Sequence, residues 1–107
     1  MVKISGNYRW FEGARFDHAY YQAEHMQLTR ELLRPLGLQR LESDRTLSAH
    51  PPAPGQIIAT SNACFATLAA AQAALQQAGA ALLADLPNYT NIRPELHLSE
   101  VDGHPLD

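Results

Sequence analysis

The order in which strand-like and helix-like stretches follow one another constrains this chain most. Val2 to Tyr8 alternates Val2 and Ile4 against Lys3 and Ser5 and reads as a first strand, interrupted by Gly6. Phe16 to Leu33 has helical periodicity. Pro35 disfavours helical backbone at Arg34, and Gly37 suits a left-handed cap, so the helix is expected to end there. Leu38 to Thr46 carries no turn residue and sets Leu41 against Arg40 and Glu42, as in a strand at an edge or facing water. Gln56 to Phe65 is a third strand, with Ile57, Ala59, Ser61, Ala63 and Phe65 on one face and Ile58, Thr60, Asn62 and Cys64 on the other. Its small residues suggest cover on both sides and a face lining a cavity. Thr67 can cap a helix running to about Gln77; Gly79 is expected to break it, leaving Ala80 to Asp85 as a second short piece. Ile92 to Val101 is a fourth strand, with Leu96 and Leu98 opposed to His97 and Ser99.

The sum, β–α–β–β–α–β, is the order of a ferredoxin-like α+β fold, an antiparallel sheet with two helices on one face. At 107 residues one domain spanning 1–107 is expected. Such a chain builds only a modest core, and Cys64, the one cysteine, excludes an internal disulfide. A second protomer covering the bare sheet face would supply the missing support, so a homodimer is expected, with a cavity between sheet and helices. The connections read as loops. Asn7 to Ala14 holds Glu12-Gly13 and the aromatic pair Trp10 and Phe11; Ser48 to Gly55 holds three prolines and His50; Pro87 to Asn91 gathers hydrogen-bonding groups; Asp102 to Asp107 is a polar tail.

Charge narrows the partners. The net charge is −3 and Lys and Arg form no run, so neither nucleic acid nor an anionic membrane surface is expected as a partner. No apolar run is long enough to span a membrane, the first residues lack a signal-peptide pattern, and one unpaired cysteine fits a reducing compartment. The cytoplasm is the expected location.

Phe16 to Leu28 is the stretch in which chemistry is concentrated. On an α-helix Asp17, Tyr21, His25, Leu28 and Leu32 fall in one arc, with Glu24, Gln27, Glu31 and Arg34 opposite. His25 is thus expected to point inward, where it needs a hydrogen-bond partner; Tyr21, one turn earlier, is the nearest candidate. A core histidine satisfied by its neighbours is the plainer alternative.

Two motifs carry a family resemblance. Phe16-Asp17, Tyr20-Tyr21 and His25-Met26 with Leu28, led in by Gly13-Ala14-Arg15, form the first; Ala84 to Ile92 with Pro94 and the final strand to Val101 form the second. Together they resemble the EthD-like family, named for ethyl tert-butyl ether degradation, within the dimeric α+β barrel superfamily. The resemblance spans almost the whole chain. Gln27 departs from it, standing where the family usually has proline, so the helix need not bend after His25. The resemblance implies a dimeric α+β barrel and a small catabolic or tailoring protein similar to cofactor-independent monooxygenases, an oxidoreductase class, with no cofactor.

A metal centre is not expected. His18 and His25 are seven residues apart, about 10 Å along a helix, too far to share one ion. There is no phosphate loop, dinucleotide fingerprint or nucleophile elbow. Acid–base chemistry on an apolar carbonyl or phenolic small molecule fits better: His25 as the catalytic acid or base, Tyr21 orienting it, and Asn88 and Tyr89 fixing a substrate oxygen. Tyr20 and Asp17, from the first motif, complete the expected substrate-binding set. Dehydration, isomerisation and cofactor-free oxygenation all begin with such a proton transfer. The rival expectation is a small-molecule-binding or accessory protein of a degradation pathway, without turnover; a third is a structural dimer with a packed interior.

Overall fold

A computed structural model describes residues 1–107. Strands β1 (Val2–Arg9), β2 (Arg40–Arg45), β3 (Ile57–Phe65) and β4 (Glu95–Glu100) form one antiparallel sheet in the order β2-β3-β1-β4. Between β1 and β2 lies helix α1, three consecutive segments: His18–Tyr20, a π-helical turn over Tyr21–His25, and Met26–Leu33. Between β3 and β4 lies α2, Leu68–Ala84. The expected α+β order with two helices is the observed one.

The register makes the faces unequal. Ile4 pairs with Ala63, Gly6 with Ser61 and Tyr8 with Ala59. This face meets the helices: Ile4, Ala63 and Phe65 bury against Leu33 of α1 and Ala71, Ala74 and Ala78 of α2. The other face pairs Ser5 with Asn62 and Asn7 with Thr60. There the Ser5 hydroxyl donates to Asn62 Oδ1 at 3.0 Å and the Thr60 hydroxyl to Asn7 Oδ1 at 3.1 Å. It is polar, and nothing in the chain covers it from above. β4 sets Leu98 beside Ile4 and Leu96 beside Gly6 on the helix side, but α2 packs on β1 and β3. Leu96 therefore stays 51% exposed and opens a gap between α2 and the β4 edge.

Several elements differ from expectation for local reasons. Gly6 does not interrupt β1, which runs on to Arg9; it is paired on both sides, and a Cβ there would meet Ser61 Oγ at 3.0 Å. α2 runs unbroken through Gly79, because one glycine costs about 1 kcal/mol in a helix and the alanines around it favour continuation. α1 begins at His18, with Asp17 capping it by accepting from the Tyr20 N–H at 3.0 Å. Arg34 keeps helical angles (φ −56°, ψ −46°): the chain tightens into a 3₁₀ turn over Arg34–Leu36, where Pro35 needs no N–H donor, and Gly37 (φ 103°) ends it. β2 and β4 are shorter than expected; Pro94 cannot donate to a ladder, and pairing starts at Glu95. The Pro87–Asn91 stretch opens with a 3₁₀ turn over Leu86–Asn88.

The π-turn changes which side of α1 is buried. The Met26 N–H reaches back to Tyr21 O, inserting one extra residue. Tyr21 and His25 are buried as expected, but Met26, Thr29 and Leu33 then take the inward positions, and Leu28 and Leu32 are only half-buried.

Candidate functional site

A cavity of about 400 Å³ lies between the two helices and the sheet. Its walls are largely apolar because α2 presents alanines where a longer side chain would fill the space: Ala74, Gly79 and Ala80 line it together with Ala63 of the sheet. Gly79 is informative. Its backbone needs no positive φ, and a Cβ there would touch nothing within 4 Å. Neither turn geometry nor close packing asks for glycine, so its effect is to leave room. Leu83 and Leu96, both partly exposed, stand at the open side.

His25 is the one imidazole on this wall, and no carboxylate or amine lines it. Its Nδ1 lies 2.9 Å from Asp85 Oδ2, with the two side chains only 8% and 10% exposed. Asp85 Oδ1 also accepts from the Tyr20 hydroxyl and from Asn88 Nδ2, both at 2.8 Å. Burial pushes the Asp85 carboxyl up, but the hydrogen bonds from Asn88, His25 and Tyr20 outweigh it and hold it below the usual carboxylate value. Asp85 is thus an acceptor only, so His25 Nδ1 must carry the proton. Nε2 has no partner within the chain and is not sealed from space. The hydroxyl of Thr29 donates to His25 O at 2.7 Å and steadies the widened turn from below.

Chain segments far apart in sequence bring this pair together. The Asp17 N–H donates to Tyr89 O at 2.8 Å, the Thr90 hydroxyl to Arg15 O at 2.7 Å, the Arg15 N–H to Asn91 Oδ1 at 2.7 Å, and Asn91 Nδ2 to Gly13 O at 3.1 Å. The loop after α2 is therefore stitched to the lead-in of α1, and Asp85 is set against His25. Behind them lies an aromatic cluster. The Tyr8 and Tyr89 hydroxyls share a hydrogen bond of 2.7 Å, and Phe16 meets Tyr8, Tyr21 and Tyr89 edge-on at 5.0 to 5.5 Å. Burial pushes the Tyr8 hydroxyl up to about 12 and raises those of Tyr21 and Tyr89 as well. These phenols stay protonated at neutral pH and act as donors, not bases.

Each residue expected from sequence has a definite place. His25 lines the cavity. Tyr21 is wholly buried and is not its hydrogen-bond partner; the rings stack at 5.6 Å, 15° apart, and Asp85 takes the partner's role. The Tyr21 hydroxyl is left without a well-formed hydrogen bond, although Ser61 comes close enough to ease its ionisation. Asn88 and Tyr20 hold Asp85, and Asn88 is exposed. Tyr89 is fully buried against Tyr8 and His25. Asp17 is exposed and caps α1. Of this set only His25 lies on the cavity wall.

Three residues escaped the sequence reading: Asp85, and the cavity-lining Tyr8 and Ser61. Asp85 did carry a signal. It is the C-cap of a 17-residue helix with no basic residue in its last turn, where a carboxylate opposes the helix dipole. An acid so placed needs another reason to be there, and His25 supplies it.

No protein-family model and no curated protein matches this chain. Among solved structures, an EthD-like protein from Ralstonia eutropha JMP134 is 32% identical and superposes with a TM-score of 0.81, covering 98% of this chain and 95% of that one. An ethyl tert-butyl ether degradation (EthD) family protein from Bacillus halodurans C-125 is 21% identical, TM-score 0.70, covering 95% and 99%. HapK from Hahella chejuensis is 20% identical, TM-score 0.59, covering 100% and 98%. The last two likenesses concern the fold alone.

Proposed function

The chain belongs to the EthD-like family, and from that premise we propose that it binds an apolar carbonyl or phenolic small molecule in the cavity and moves a proton on it with His25. The observation that carries this is the divided role of the imidazole: Nδ1 committed to Asp85, Nε2 unpartnered at an apolar wall. Nε2 takes a proton from the carbon beside a carbonyl, or from a phenol. The imidazolium that forms is stabilised by Asp85, and the electron pair passes to the substrate oxygen as an enolate or phenolate. Tyr20 and Asn88 act as positioning residues through Asp85. Ser61 and Tyr8, whose hydroxyl is hydrogen-bonded to that of Tyr89, line the cavity and are the candidate donors for that oxygen. Dehydration, isomerisation or a cofactor-independent oxidation can follow from the same anion. The protein would work as a cytoplasmic homodimer; the polar, uncovered sheet face is where a partner would sit. No helix is long and apolar enough to cross a membrane.

Exchange of acidic C–H protons in heavy water tests the proton transfer without knowledge of the final product. With a panel of cyclic and aryl ketones, the protein should speed exchange above buffer, and His25→Gln should lower the enhancement by about 10²–10⁴-fold. Binding of a ketone with no exchange at any pH would refute turnover by this route and leave a small-molecule-binding protein.

A further inference from the structure

We propose a second ligand site, separate from the His25 cavity, in which Arg45, His18 and His50 line one concavity of about 220 Å³ and bind a small oxyanion, the carboxylate or phosphate group of a small molecule. It shares no lining residue with the larger cavity. The protein as a whole carries 11 acidic against 8 basic residues, yet no acid lines this wall. Arg45 stands in no ion pair; the three in the chain are Arg9–Glu95, His25–Asp85 and Arg40–Glu42. The nearby acid, Asp17, turns its carboxylate to the Tyr20 N–H.

The polar groups on the wall have donors to spare. Gln56 spends its carbonyl on the Ala53 N–H at 3.1 Å, leaving its NH₂. Ser48 accepts from the His50 N–H at 3.2 Å, leaving its hydroxyl proton. Thr46 is already committed to Ile57 O at 2.6 Å. A guanidinium and two imidazoles, each able to turn an N–H towards a ligand, complete a wall that carries cationic and donor groups and no carboxylate, which is the composition of an oxyanion site. His18 behaves as a group awaiting its counter-charge. Its Nδ1 is enclosed without a partner, and burial, then the Arg45 charge, press its pKa below the ordinary histidine value while Asp17 only partly opposes them. A bound anion would reverse that push.

Histidine ring signals in NMR titrations test this on the intact protein, with inorganic phosphate and benzoate as separate probes at constant ionic strength set with sodium chloride. The proposal expects saturable shifts at His18 and His50, a rise in the His18 pKa, and unmoved His25 signals with phosphate. Arg45→Gln, at an exposed edge position, should weaken binding about tenfold or more. Saturation by phosphate alone or by benzoate alone identifies the anion and supports the site. Shifts that chloride reproduces, shifts that never saturate with either probe, or an Arg45→Gln affinity equal to wild type would each overturn it. An unchanged His25 signal in Arg45→Gln shows that the variant is folded.

Discussion

Under α2 the chain lays alanines on the sheet; beside the first turns of α1 it packs aromatic rings. The first region, Ile4, Leu33, Ala63, Phe65, Ala71, Ala74 and Ala78, buries its side chains and still leaves a cavity. The second, Tyr8, Tyr21, Met26, Ile58, Ala59, Tyr89 and Ile92, is dense and carries phenol groups inward. Small residues cannot fill the space between a helix and a sheet, and that space is available to a ligand. Large rings fix the backbone around the π-turn and hold Asp85 against His25. One region supplies room and the other supplies geometry, and His25 stands where they meet.

Substitutions that exchange these properties should have unequal effects. The largest is expected from Tyr89→Ala. It removes a wholly buried ring and strands the Tyr8 hydroxyl, so denaturant unfolding should show a loss of about 3–5 kcal/mol.

Alkali attacks the same region through its phenols. Tyr8 rises from its ordinary 10.0 to about 12 in the folded state, and Tyr21 and Tyr89 also rise. An acid group with a raised folded pKa keeps its proton in the native state after the unfolded chain has lost it. Its contribution is therefore complete below pH 10 and is lost as pH climbs towards 12, about 3 kcal/mol for Tyr8 alone. Tyrosinate absorbance should accordingly rise late and together with unfolding, and an early rise at the ordinary value would break the contrast.

Asp85→Asn should cost about 1–3 kcal/mol, since three donors lose their carboxylate. The Asp85 carboxyl titrates below its ordinary value when folded, so its share of stability is present above that value and lost as pH falls through the folded pKa. A low-pH unfolding midpoint that does not respond to Asp85→Asn would contradict this.

The smallest effect on stability belongs to the open region. In Gly79→Leu the new Cβ meets nothing within 4 Å and helix propensity improves, so stability should rise by about 0.5–1 kcal/mol while the side chain extends into the cavity. Calorimetry should then show a more stable protein that no longer takes up an apolar ketone. A destabilised variant, or one that still binds, would show that the glycine serves packing instead.

The sequence displays some of this plainly. Alternation and turn residues carry the strand order, and the spacing of Tyr21 and His25 marks them as inward. Spacing alone turns Leu28 and Leu32 inward as well, but a π-turn leaves no trace in hydrophobic spacing and shifts the later residues by one position. Gly79 read as a break because propensity is local, whereas the helix is held by packing along its length. Asp85 lies sixty residues from His25, and no periodicity links them; only its placement at a helix C-terminus without a basic neighbour hinted at a role. The hydrogen-bonding groups of Asn88 to Asn91 were visible, but their use, tying that loop to Gly13–Asp17, needed the tertiary structure.

One imidazole has two occupations, and nitrogen NMR of His25 observes both. Neutral His25 is predicted to carry its proton on Nδ1, with a bare Nε2 whose resonance moves when a ketone or phenol binds, and Asp85→Asn should disturb the tautomer. A proton on Nε2 in the wild-type protein, or an Nε2 that ignores every bound ligand, would contradict it.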